Sequence, residues 1–199
     1  MIDGYEIRKR VERGRQAKAD GAFFEKMIED ACFRYKLNGI AYIEKTPEPL
    51  RPIKKIEGKK FVAVYEDKAQ PDFKGTIAGG RAICFEAKAT NDTKIQCSRL
   101  QPQQIEALKI HSNLGAEVFI LVMFLSINQC YKVPLKFWMD AYKNFGRQYF
   151  KYQDLDEFKI PTEGMKIDFI TDRVKTFEEF KKDTKGVIWS TKVKLAQRV

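Results

Sequence analysis

Asp72, Glu86 and Lys88 lie in the stretch Gln70 to Thr90, QPDFKGTIAGGRAICFEAKAT, at a spacing that can support phosphodiester chemistry. Ile83, Phe85 and Ala87 alternate with Cys84, Glu86 and Lys88. That is the period of a strand with one face in the core, and it points Glu86 and Lys88 the same way. Phe61 to Tyr65 and on to Phe73 also reads as strand, and Lys74 to Gly80, holding Gly75, Gly79 and Gly80, reads as the turn between the two. Asp72 is then predicted beside Glu86. Two converging carboxylates offer hard oxygens to Mg²⁺ or Mn²⁺. An ammonium two residues on can orient an activated water or offset charge on a phosphate. The plain alternative is a solvated hairpin with a surface ion pair, and the apolar residues before Glu86 argue against it.

The flanking elements must position this group. Phe24, Met27, Ile28, Ala31, Cys32 and Tyr35 recur at helical steps, with Asp20 as the predicted N-cap, Asn38-Gly39 as the stop and Glu25 bordering the apolar face. Ile40, Tyr42 and Ile43 predict a first strand. KTPEPLRPIKKIEGKK follows; its three prolines exclude a central strand and leave an exposed β-arm or long loop. Thr90 to Arg99 is polar and predicts a loop over the cleft. Ser98-x-x-Gln101 with Pro102 reads as a capping box opening a helix that turns Ile105 and Leu108 inward and stops at Gly115. Val118 to Leu125 is apolar throughout, the pattern of a central strand covered on both faces, with Tyr131 to Val133 as its neighbour. Leu135, Trp138, Met139 and Tyr142 predict a core helix stripe ended by Gly146-Arg147, and Ile167 to Ile170 a last strand.

The chain has 199 residues, enough for one α/β domain with an arm or tail. Its net charge of +10 favours a polyanionic partner. The apolar run from Val118 is too short to span a bilayer, and Met1 to Arg15 is charged throughout, so a cytosolic protein without membrane contact is expected. Four cysteines, at 32, 84, 97 and 130, show no C-x-x-C pairing and read as reduced. His111 is the only histidine and reads as a surface residue, so a metal would be held by carboxylates. Residues 1 to 20 are rich in Arg and Lys and fit a solvated helix, a frayed end or a DNA-contacting arm. From Arg173 onward eight Lys or Arg face three acids, after a capping box at Thr176-x-x-Glu179. That tail fits a DNA-tracking extension, a swapped arm or a solvated end.

PDFKG followed by GGRAICFEAKAT resembles the RecU family of Holliday-junction resolvases, dimeric members of the PD-(D/E)xK nuclease superfamily. The resemblance runs from about residue 13 to 172. Gly21 and Glu25 match the family's Gly-x-x-x-Glu, Arg13-Gly14 its Arg-Gly, and Lys-Thr-Pro-Glu-Pro from Lys45 its stalk lead-in. Gln104 stands where the family has His-Gln, with Gln103 in place of the His, and FW followed by GR recurs at Arg147. The resemblance implies an α/β fold with a restriction-endonuclease-like core, a mixed β-sheet flanked by helices, and a projecting basic stalk. Together with the basic composition of the two ends, it divides the chain into a basic arm (1–20), a nuclease domain (21–172) with the stalk at about 45–62, and a basic extension (173–199). Asp72, Glu86, the Ala87 carbonyl and Glu25 would hold Mg²⁺, or Mn²⁺, with Lys88 assisting the nucleophile and Gln104 bonding the attacking water or a phosphate. Gln104 can equally cap its helix or face solvent. Arg13, Arg15, Lys45, Arg51, Lys54, Lys55, Lys59 and Lys60 would contact DNA, as would Arg147 unless it forms a salt bridge or stands free on the surface. The expected substrate is a four-way junction cut by a homodimer during recombination and repair, with any recombination-protein partners left open. A flap or duplex nuclease of the same superfamily, or a non-catalytic recombination accessory protein, are the alternatives.

Overall fold

The computed structural model describes residues 4–58, 60–65 and 70–170. The chain divides into a unit ending at Phe169 and a second beginning at Ile170, and the first holds every helix and strand named below. Lys59, the Thr176-x-x-Glu179 box and the tail from Arg173 lie outside the described residues.

Helix α1 spans Gly4–Leu37, 34 residues in one piece. Its first half buries little, but Arg, Lys, Glu, Gln and Ala dominate it and lose little rotamer freedom in a helix. Asp20 is therefore not an N-cap; it lies mid-helix, and the boundary expected at residue 20 falls inside a continuous element. Beyond it Phe24, Met27, Ile28, Ala31 and Tyr35 are buried on the predicted face.

The strands in chain order are β1 (Ala41–Lys45), β2 (Leu50–Lys55), β3 (Phe61–Tyr65), β4 (Phe73–Ile77), β5 (Ala82–Thr90), β6 (Lys94–Gln96), β7 (Glu117–Phe124), β8 (Gln129–Pro134) and β9 (Tyr149–Lys151). A five-stranded sheet runs β1-β4-β5-β7-β8. Only β5 and β7 are parallel, and their crossover carries α2 (Pro102–Asn113). This is the mixed sheet flanked by helices that the sequence predicts. The pleat separates two cores. On the α1 side Phe73, Phe85 and Phe119 stack with centroids 5.1 and 4.8 Å apart, and Phe169 links Phe85 to Tyr35 of α1. On the other side Cys84, Ile120 and Val122 pack with Leu108 of α2 and Trp138. Glu86 and Lys88 share the parity of Cys84 and project to this second side.

Several boundaries differ from expectation. The strand at Phe61 does not continue to Phe73: β3 pairs with β2 in a separate hairpin, with a register shift between Pro52 and Lys54. That hairpin is the expected arm, exposing Arg51, Lys54 and Lys55. The turn predicted over Lys74 to Gly80 is shorter, because Lys74 to Ile77 already pair with β1 and only Gly79 and Gly80, at φ 93° and 88°, need left-handed backbone. Gly75 serves a different purpose: a Cβ there would lie 2.1 Å from the Tyr42 carbonyl oxygen. The polar stretch 90–99 is not a plain loop, since burial of Ile95 and Leu100 draws β6 against β9 and closes a 3-10 turn at Cys97–Arg99. That turn takes up Ser98, so the N-cap of α2 is Gln101. The helix predicted from Leu135 breaks at Asp140 into α3 (Leu135–Met139) and α4 (Ala141–Phe145). The break rotates Met139 and Tyr142 outward, to 41% and 64% exposure, so neither is core. The last strand shrinks to Lys166–Ile167, paired with Thr162–Glu163. All four cysteines are free thiols. Among the described residues no helix is long and apolar enough to cross a membrane.

Candidate active site

Pairing of Phe73 with Phe85 puts Asp72, one residue before β4, opposite Glu86. The Ala87 backbone N–H donates to Asp72 Oδ2 at 2.9 Å, which ties this carboxylate to β5. Glu86 is fully buried, a rare place for a carboxyl group. Lys88 Nζ donates to Glu86 Oε2 at 2.8 Å and stands 3.8 Å from Asp72 Oδ2. Gln104 is held at both ends: its Nε2 donates to Glu86 Oε2 at 2.5 Å, and its Oε1 accepts the Gln101 backbone N–H at 3.1 Å. The side chain that opens α2 thus reaches the center of the site. The sequence marked Gln104 as a candidate but not its partner, which only packing of α2 beside β5 supplies.

Burial pushes the Glu86 carboxyl from its usual 4.5 up to about 8; Lys88 pulls it down and Asp72 pushes it up. Glu86 Oε1 is buried without a hydrogen-bond partner among the described residues. An orphaned acceptor beside a second carboxylate is costly unless a cation or proton meets it. The donors fit a small hard divalent ion: Asp72, Glu86 and the carbonyl of Ala87, the next residue on β5, all oxygen. Among the described residues no three His, Cys, Asp or Glu side chains gather to hold a metal by themselves, so backbone and solvent oxygens would complete the shell. Glu25 is not brought into this group. Its Oε2 accepts from Lys45 Nζ at 2.7 Å, because α1 packs on the sheet face opposite the one that carries Glu86.

The predicted DNA contacts fall in three places. Arg13 and Arg15 lie exposed on α1; Arg51, Lys54, Lys55 and Lys60 lie exposed on the hairpin, and Lys45 at its base. Arg147 is instead built into the fold. It pairs with Asp154 and lies over the rings of Phe145 and Tyr149, 5.1 and 4.9 Å from their centroids. Arg99 was not anticipated: nothing marks it in the polar stretch, yet the 3-10 turn brings its Nη2 to the Ala89 carbonyl at 3.3 Å.

The family model described as RecU, recombination protein U, matches residues 19–174. The chain belongs to the RecU family. Among its curated RecU relatives, the Holliday junction resolvase RecU of Streptococcus gordonii is 30% identical over 129 residues, 62% of this chain and 64% of that protein. The Levilactobacillus brevis protein of the same name is 26% identical over 155 residues, 72% of this chain and 76% of its own length. The chain thus spans less than two thirds of the length of the Streptococcus gordonii RecU it matches. A solved structure of Archaeoglobus fulgidus Hjc, a Holliday junction resolvase, overlaps 58% of this chain and 73% of its own at 13% identity and a TM-score of 0.38.

Proposed function

We propose that this RecU-family chain is an endonuclease that cuts four-way DNA junctions by metal-assisted hydrolysis. The observation that carries the reading is the fully buried Glu86, with one oxygen unpartnered and the other held by Lys88 and Gln104, beside Asp72. Asp72, Glu86 and the Ala87 carbonyl would hold Mg²⁺ or Mn²⁺, which when bound lowers the pKa of a coordinated water. Asp72 is kept in place by the Ala87 N–H, and Gln104 positions Glu86. Lys88 lies within reach of both carboxylates and offsets charge gathering on the attacked phosphate. The exposed lysines and arginine of the β2–β3 hairpin contact backbone phosphates, giving affinity without sequence reading. A junction presents two equivalent strands, and a two-fold homodimer would present two such sites.

The test is a cleavage assay on synthetic four-way junction, flap and linear duplex, each with and without Mg²⁺. Paired symmetric nicks confined to the junction and lost in Asp72→Asn and Glu86→Gln are expected. Equal cutting of linear duplex would replace the substrate. Cutting that survives both substitutions would remove the site.

A further inference from the structure

A second feature lies beside the site. A cleft of about 490 Å³ opens where β5 ends, walled by α1 through Arg13, Gln16 and Asp20, by Ala89 and Asn91 after Lys88, and by Arg99. We infer that this cleft is a subsite for a backbone phosphate of the strand being cut, gripped by Arg13 and Arg99; the inference rests on the nuclease reading above.

Two arginines and two aspartates line the cleft, so unused hydrogen-bond capacity rather than net charge points to its ligand. The acid inside the cleft is already satisfied: Asp20 accepts from Gln16 Nε2 at 2.8 Å and from the Asn91 side-chain amide, a pair of bonds that also ties α1 to the turn after β5. Asp92, the second acid lining the cleft, is exposed to solvent. The guanidinium groups are not satisfied. Arg99 uses one N–H on the Ala89 carbonyl, and Arg13 has no hydrogen bond or ion pair to another described residue. An arginine carries five donors, so most of those in the cleft have no partner among the described residues, and two planar guanidinium forks suit a phosphodiester.

Position says which phosphate. Ala89 is three residues beyond Glu86, on the order of 10 Å along an extended strand, so the cleft lies outside the reacting group and within a few nucleotides of it. α1 carries Asp20 to Asn91 and, about 7.5 Å further along the helix, Glu25 to Lys45 at the base of the hairpin. Along the sheet edge the cleft, at the end of β5, and the hairpin base, at the end of β1, therefore lie on either side of Asp72, at the start of β4. A strand held at both ends is a strand oriented for attack between them.

Binding of the full chain to a synthetic four-way junction is measured without divalent ions, so that nothing is cut, between about 50 and 200 mM salt. Arg13→Gln is expected to lower the slope of log affinity against log salt by about 0.9, which shrinks the fall over that range about 3.5-fold, while Arg13→Lys keeps the slope. In cleavage, one uncharged methylphosphonate within three nucleotides of the cut should slow the wild-type chain about tenfold, the worth of one charge-assisted contact, and slow Arg13→Gln no further. An unchanged slope in Arg13→Gln, or equal slowing of both chains by the neutral linkage, overturns the subsite. A chain that binds junctions and cuts nothing refutes the nuclease reading instead, and the slope still judges the cleft.

Discussion

Metal binding at the Asp72–Glu86 pair should release a proton, and the amount follows from where Glu86 sits. Its carboxyl is pushed up to about 8, by burial first and by Asp72, with Lys88 opposing. At pH 7 only about one tenth of the metal-free protein then has Glu86 ionised. A cation needs the carboxylate, so each ion bound displaces about 0.9 proton at pH 7, about half at pH 8 and about 0.1 at pH 9. Mg²⁺ affinity accordingly rises about tenfold per pH unit below 8 and levels off above it. Calorimetric titration in two buffers of different ionisation heat measures the proton count directly, without DNA or turnover. Stability has the matching sign. Because the folded-state pKa is raised above the usual 4.5, this group's stabilising contribution is complete below about 4.5 and is lost as pH rises through about 8. The metal-free protein should melt lower at pH 9 than at pH 6, and Mg²⁺ should recover the difference. No proton release at pH 7 together with a flat affinity from pH 6 to 9 would mean that Glu86 is ionised without metal. Attraction to Lys88 would then outweigh burial at this carboxyl.

Lys88→Met removes the charge that holds Glu86 down, so cleavage should fall about 10²- to 10⁴-fold with junction binding retained, and the proton released by Mg²⁺ at pH 8 should increase. Gln104→Ala deletes the donor to Glu86 and the acceptor for the Gln101 N–H; chemical denaturation should register a loss of about 1–3 kcal/mol, and Mg²⁺ affinity should change with it. Gly75→Ala places a methyl 2.1 Å from the Tyr42 carbonyl oxygen and 2.6 Å from Ile43 Cα, neither of which can swing aside. A thermal melt should show destabilisation of about 3 kcal/mol or more through lost β1–β4 pairing.

Much of the fold is legible from periodicity. The alternation at Ile83 to Lys88, the apolar run from Val118 and the three-and-four steps from Phe24 to Tyr35 each state which side chains must leave water, and each element forms where they say. Boundaries are less legible where local signals compete. Asp20 has the chemistry of a cap, but the residues before it are good helix formers and α1 runs through it. The glycine at 75 looks like a turn residue and is a point of close strand approach. Tyr142 is apolar at helical spacing, yet the break at Asp140 takes it out of the stripe.

The site divides the same way. That Asp72, Glu86 and Lys88 could meet follows from strand period and a short connection, because a hairpin register is a local property. That Gln104 closes on Glu86, that Arg99 and Arg13 share a cleft, and that Glu25 pairs with Lys45 rather than joining the carboxylates are long-range facts. They depend on which face of the sheet each helix covers. Side-chain period tells a helix which of its own sides to bury; it carries no information about the sheet face it will bury it on, and that choice is made by the packing of the whole core.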